Sequence, residues 1–114
     1  MHELGIVLYV IDEVEKVAKK NNVELVTKVT LEVGEVSGIV PSYFQDCWKW
    51  SVEKTEHMKG CVLDIIVIQA KSYCEDCGTL YKTTVGRICP KCKSKNTYLV
   101  SGKETLIKNI EVKS

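Results

Sequence analysis

Residues 74–92 read CEDCGTLYKTTVGRICPKC, with Cys74/Cys77 and Cys89/Cys92 as two C-x-x-C pairs separated by eleven residues. A C-x-x-C pair bends the chain so that both sulfurs point at one centre. Two pairs face to face supply four thiolates in a tetrahedron, the geometry of a closed structural zinc site. Gly78 follows the first pair and suits a backbone position with φ > 0, and Pro90 fixes φ at the start of the second turn. A disulfide framework is the competing covalent reading. The competing metal is a single iron, which ligand softness and geometry alone do not separate from zinc. Zinc is the expected ion. A closed tetrathiolate leaves no position for substrate, so these residues point to a metal and not to a reaction.

The 114-residue chain has room for one domain, or for one small domain with a metal-stapled insert. With 45% hydrophobic and 27% charged residues it is an ordinary globular composition. The nineteen residues of the cysteine stretch hold too few large apolar groups for a core. A structural zinc contributes on the order of 10 kcal/mol to such a module, which makes the stretch a metal-held excursion. No apolar run approaches the roughly 18 residues of a membrane span. The start MHELG lacks the basic region of a secretory signal. The expectation is a cytoplasmic protein without a membrane partner, its thiols reduced and free for metal.

Net charge is +1 overall, but Lys71–Lys103 carries seven bases against two acids. Four thiolates and a dication reduce that local excess to about +3. Two rival readings follow. One is a zinc-ribbon nucleic-acid module using Lys91, Lys93 and Lys95 with Tyr81 and Tyr98. The other is a rubredoxin-like iron protein. Nucleic acid is not the expected partner. No nucleophile–base pair, phosphate loop or carboxylate constellation supports an enzyme.

On either side of the cysteines the pattern is that of a sheet. Cys61–Ala70 (CVLDIIVIQA) is apolar on both faces apart from Asp64 and Gln69 and predicts a central strand. Thr79–Thr83 and Thr97–Val100 are short β-like pieces, Ser101-Gly102 turns the chain, and Leu106, Ile110 and Val112 mark a returning strand. Upstream, Leu25, Thr27, Val29, Leu31 and Val33 alternate with Val26, Lys28, Thr30 and Glu32 as in a half-buried strand, closed by GEVSG at 34–38. Strand, helix, strand implies a right-handed parallel crossover. The expected fold class is α+β: a small mixed three-stranded sheet with two helices, plus a zinc-ribbon-like four-cysteine insert between the last two sheet strands. Residues 1–70 and 104–114 form one expected domain and 71–103 a zinc-binding domain.

Two helices complete the reading. At about 100° per residue, Leu4, Ile6, Val7, Leu8, Val10, Ile11, Val14, Val17 and Ala18 share one side of a helix running from about Leu4 to Lys20. Asp12, Glu13, Lys16, Lys19, Lys20 and Tyr9 share the other; Glu15 intrudes on the apolar side. Asn21 and Asn22 end it. A second helix starts near Pro41. It carries Tyr43, Phe44, Cys47, Trp48, Trp50 and Val52 on an arc wider than one sheet contact needs; the expectation is that it packs on the sheet and against the first helix, with a partner surface on Tyr43 and Trp50 as the alternative. Cys47 and Cys61 are expected in the core. His57, in the hydrophilic turn TEHMKG, is expected to be solvated.

The chain opens Met1-His2-Glu3. Methionine before a large residue is usually retained, so His2 is expected to stay second. The amine of Met1, the amide nitrogen of His2 and its imidazole can close two fused chelate rings, a planar nitrogen set suited to Ni(II) or Cu(II) and poorly to tetrahedral Zn(II). Glu3 adds its backbone nitrogen or its carboxylate.

MHE at the start, then helix, strand with GEVSG, helix, strand and C-x-x-CG…C-P-x-C, resembles the HypA family of hydrogenase nickel-insertion proteins over nearly the whole chain. The resemblance implies that Met1, His2 and Glu3 bind Ni2+ as transported cargo, in a nickel-binding domain of residues 1–70 and 104–114. It implies structural Zn2+ on Cys74, Cys77, Cys89 and Cys92. It also implies a nickel-handling GTPase of the same maturation pathway and the [NiFe]-hydrogenase large subunit precursor as partners, with homodimers in some members. Two departures stand out. Some relatives have an acid near the position of Val40, so here the fourth nickel ligand is open among Glu3, water and His57. Some relatives flank the cysteines with histidines. This chain has only His2 and His57, so no histidine-driven ligand exchange at zinc is expected.

Overall fold

The computed structural model describes residues 2–83 and 86–113. The elements are α1 (His2–Lys20), β1 (Leu25–Gly34), α2 (Pro41–Val52), β2 (Val62–Ile68), β3 (Lys71–Cys74), β4 (Leu80–Lys82), β5 (Thr97–Ser101) and β6 (Thr105–Lys113). They form two three-stranded sheets, ordered β2-β1-β6 and β4-β3-β5. The chain divides into two compact units. One comprises Met1–Glu32, Ile39–Ile66 and Leu106–Ser114, the other Val33–Gly38 and Val67–Thr105.

Hydrogen bonds at the strand ends set the directions in the first sheet. Val26 N–H donates to His57 C=O at 2.7 Å and Glu35 N–H to Ile68 C=O at 2.8 Å, so β1 and β2 start and finish together and run parallel. Gly34 N–H donates to Glu104 C=O at 2.8 Å, and Thr27 Oγ1 to Glu111 C=O at 3.1 Å, so β6 runs antiparallel to β1. The sheet is mixed, as the sequence pattern requires.

In the larger unit, α1 buries Val7, Val10, Ile11, Val14 and Ala18, a spacing of three and four that keeps one stripe on the core. α2 adds Phe44, Trp48 and Val52. The Trp48 indole is fully buried and satisfied, donating Nε1–H to Cys61 C=O at 3.0 Å. Pro41 opens α2, where its missing N–H costs nothing. Asn22 takes φ 54 after α1, and Asn21 Nδ2 donates to Val17 C=O at 2.8 Å, so the Asn pair closes the helix as expected.

Four expectations change. Leu8 and Val17 are exposed, because the apolar arc of α1 is wider than its neighbours can cover. Cys61–Ala70 does not supply a central strand. β2 lies at the sheet edge with Val62 and Val67 58% and 55% exposed, and β1 takes the centre. An apolar run gives strand type but not lateral order, which depends on where β6 returns. Cys61 is a core residue, its thiol pushed up to about 11 by burial, whereas Cys47 is only half-buried. His57 is not solvated. It donates its backbone N–H to Glu15 Oε2 at 2.8 Å and brings Nδ1 to 2.7 Å from Oε1, with the two side chains only 18% and 15% exposed. Glu15 interrupts the apolar stripe because it holds this turn onto α1.

Candidate metal centre

The cysteine unit is built on β3. It pairs antiparallel with β4 through Lys71↔Lys82, Ser72↔Tyr81 and Tyr73↔Leu80, and antiparallel with β5 on its other side. Cys74 is the last residue of β3, so the first knuckle starts from a strand with a fixed direction.

Both knuckles use the same hydrogen-bond scheme. Gly78 N–H donates to Cys74 C=O at 2.8 Å while Cys74 N–H donates to Thr79 C=O at 2.9 Å. Lys93 N–H donates to Cys89 C=O at 2.9 Å while Cys89 N–H donates to Ser94 C=O at 2.9 Å. Each turn needs a left-handed residue after its second cysteine. Gly78 supplies φ 75 freely, and Lys93 supplies φ 65 against the steric cost of its Cβ. Between the knuckles, Ser94 Oγ bonds Asp76, Glu75 N–H donates to Asn96 C=O at 3.0 Å, and Thr97 Oγ1 donates to Arg87 C=O at 2.7 Å.

The result brings four sulfurs together. Cys74 Sγ and Cys92 Sγ are 3.5 Å apart, Cys77 Sγ and Cys89 Sγ 3.6 Å, and all four fall within 4.8 Å of one another. Disulfide bonds need about 2.05 Å, so the disulfide reading fails and all six cysteines are free. A tetrahedral ion with metal–sulfur bonds of about 2.3 Å needs sulfur–sulfur edges of about 3.8 Å, close to the spacing found. The donor set therefore fits a structural metal. Cys74 and Cys89 are buried; Cys77 and Cys92 face solvent. The Thr79 hydroxyl and then its backbone N–H push the Cys77 thiol down. The Ser94 backbone N–H pulls Cys92 down as well. Desolvation and hydrogen bonds with the other three sulfurs reverse that and push it up to about 12.

The nucleic-acid alternative loses one of its two stacking rings here. Tyr81 is 8% exposed with its hydroxyl on Gly86 C=O, whereas Tyr98, 5.7 Å from Tyr73 between ring centroids, stays half exposed.

Met1 and the His2 side chain lie outside the described residues. The backbone of α1 begins at His2, and Glu3 Oε2 accepts the Val40 N–H at 3.2 Å. Val40 is the N-cap of α2 and has no side-chain cap of its own. His57 is not brought to this end. Its partner Glu15 is twelve residues beyond Glu3 on α1, about 18 Å at 1.5 Å per residue. Glu15, Glu56 and His57 do cluster with ligand atoms within 4.8 Å, a grouping that sequence reasoning missed. The acid on the apolar side of α1 was its one signal.

The family model for hydrogenase/urease nickel incorporation, metallochaperone HypA, matches residues 1–112. The chain belongs to the HypA family. HypA of Aquifex aeolicus (strain VF5), a hydrogenase maturation factor, is 32% identical over 114 residues, covering 98% of this chain and 97% of its own. The hydrogenase/urease maturation factor HypA of Helicobacter pylori (strain ATCC 700392 / 26695) is 30% identical with the same coverage. The solution structure of the Ni metallochaperone HypA from Helicobacter pylori superposes with TM-score 0.71 at 28% identity, over 96% of both chains. A second HypA solution structure gives TM-score 0.76 at 30% identity, over 98% of this chain and 96% of its own. The present chain thus shares the HypA fold along nearly its whole length, the four-cysteine cluster included. Its family is one of nickel metallochaperones that act in hydrogenase and urease maturation.

Proposed function

We propose that this chain binds Ni(II) through the segment Met1-His2-Glu3 and delivers it during [NiFe]-hydrogenase maturation, with zinc on Cys74, Cys77, Cys89 and Cys92 as a structural ion. Residues 1–70 and 104–114 act as the nickel-binding domain and 71–103 as the zinc-binding domain. The protein transfers cargo in the cytosol and catalyses no reaction. Its partners are a nickel-handling GTPase and the large subunit precursor that receives the metal.

The observation that carries this reading is that α1 opens at His2. The first four N–H groups of a helix have no partner within it, so a ligating amide nitrogen at His2 costs the helix no hydrogen bond. The Met1 amine and the His2 imidazole flank that nitrogen and close a five- and a six-membered chelate ring. The sulfur cluster suits the opposite task. Bound there, zinc ties β3 and β5 and the two knuckles into one unit, and its four thiolates leave no open position.

Release depends on protons and on the acceptor. The α-amine titrates near about 7.7–8.0 and imidazole near about 6.5 in model compounds, so protons compete with nickel and not with the tetrathiolate ion at mildly acidic pH. Calorimetric nickel titration at pH 8 and pH 6 tests this: affinity falls toward pH 6 while zinc content stays constant. His2→Ala and a form extended by one residue before Met1 lose nickel to a similar degree. Unchanged nickel binding in the extended form would remove the terminal amine and sink the reading.

A further inference from the structure

We infer that His57 and Glu56 bind a divalent ion of the Mn2+ and Zn2+ class, with Glu15 as the carboxylate that orients the imidazole. The site uses none of the four cysteines and no residue of the chain start. It stands whether or not residues 1–3 take nickel.

The imidazole is set by its surroundings. Glu15 Oε2 accepts the His57 backbone N–H at 2.8 Å, and Oε1 lies 2.7 Å from Nδ1. Val26 N–H donates to His57 C=O at 2.7 Å, so β1 fixes the residue as well. The turn around it is tied in the same way. Met58 N–H donates to Thr55 Oγ1 at 3.1 Å, and Gly60 N–H to Glu53 Oε2 at 2.8 Å. A carboxylate only accepts, so its contact puts a proton on Nδ1, and in the neutral ring Nε2 carries the lone pair. Nε2 has no hydrogen-bond partner among the described residues, although the His57 side chain is only 18% exposed. A ring held by a carboxylate on one nitrogen and bare on the other is the arrangement in which histidine ligates metals.

Charge points to a cation. Glu15, Glu56 and His57 offer ligand atoms that all lie within 4.8 Å of one another. Among the described residues no lysine or arginine pairs with Glu15 or Glu56, and the Glu56 carboxylate accepts no hydrogen bond. Two carboxylates this close repel each other, and a divalent ion cancels both charges. An ion with bonds of about 2.1 Å needs adjacent donors about 3 Å apart. Glu56 is exposed and unpaired, so its side chain is free to close that distance. One imidazole, one carboxylate and water suit Mn2+ or Zn2+. Two protein ligands make this a weaker site than the four thiolates or the three nitrogens proposed at the chain start.

Mn2+ is the probe, because thiolates are too soft for it and nitrogen sites bind it least in the divalent series. Zinc-loaded protein is titrated with Mn2+ while its amide signals are followed by NMR; the unpaired electrons broaden whatever lies near the ion. The expected result is loss of the His57 and Met58 signals at the lowest additions. The unfolding midpoint rises with Mn2+, since an ion that binds only the folded chain stabilises it. Glu56→Gln weakens Mn2+ binding at least tenfold and leaves the metal-free midpoint where it was. His57→Gln abolishes the local broadening. Glu15→Gln weakens binding about tenfold to a hundredfold, as loss of an orienting partner does. Ring nitrogen shifts of His57 report the proton on Nδ1 in the parent and a mixture of tautomers in Glu15→Gln, a change that lost packing alone does not produce. Broadening that is absent near His57, or that centres on other acids such as Asp12 and Glu13, would overturn the inference. So would a Glu56→Gln protein that binds Mn2+ like the parent. Circular dichroism shows whether His57→Gln is folded; if it is not, Glu56→Gln, at an exposed position, decides.

Discussion

In the function proposed above, the four-cysteine cluster and the start of α1 handle metal in opposite ways. In the cluster, the ligands hold the structure together: two turns with one hydrogen-bond scheme bring sulfurs from residues 74–92 within 4.8 Å, in a unit whose burial is otherwise slight. At the start of α1, the structure is made without the ligands. A core of Val7, Val14, Phe44 and Trp48 exists whatever the first residues do, and it carries a helix end whose first amides have no partner within the helix. An ion that stabilises its own surroundings is kept, and an ion on an independently stable scaffold can be given away.

Removing a donor from each region is the most severe test of that contrast. Cys89→Ser removes a buried sulfur and should cost most of the roughly 10 kcal/mol a structural zinc contributes. Zinc analysis should fall toward zero and amide protection in β3–β5 should vanish, with the signals of Trp48 and α1 intact. His2→Ala should leave the unfolding midpoint where it was.

The next largest effect belongs to the backbone of the cysteine unit. A Cβ on Gly102 would run into the Ala70 backbone at φ 94, and one on Gly34 into the Gly102 carbonyl. Gly102→Ala should cost about 3 kcal/mol or more in urea unfolding of the zinc-loaded protein. Gly38→Ala, at φ 85 in open space, should cost only about 1 kcal/mol.

Within the α/β unit, Glu15→Ala leaves the His57 N–H without its partner and should cost about 2 kcal/mol in the same unfolding experiment. Nickel affinity should not change. A loss of nickel in this variant would mean that His57 reaches the chain start, against the helix geometry above.

The smallest effect separates the cysteines outside the cluster. With its thiol raised to about 11, Cys61 should resist alkylation at pH 8 in the zinc-loaded protein, while half-buried Cys47 reacts slowly. The sign for stability follows. The folded state keeps a proton that the unfolded chain releases near pH 9, so the Cys61 contribution is full below that pH. It declines as pH rises toward 11.

Much of this was legible in the chain alone. C-x-x-C spacing, the stripe through Val7, Val10 and Val14, the alternation of β1, Pro41 at the head of α2 and the Asn pair closing α1 are local patterns, set by covalent geometry and by the 3.6- and 2-residue periods. They were enough to predict two helices, a mixed sheet and a four-cysteine insert. Which strand is central, which turn Glu15 holds, and that Glu3 reaches Val40 are decided by pairs 37 to 84 positions apart, such as Glu3–Val40, Glu15–His57 and Thr27–Glu111. Such pairs leave no periodic trace. Residues show their own preference for burial or turn. Who satisfies a buried carboxylate or an uncapped helix end is settled only when the chain is closed on itself, because hydrogen bonds depend on where distant backbones arrive.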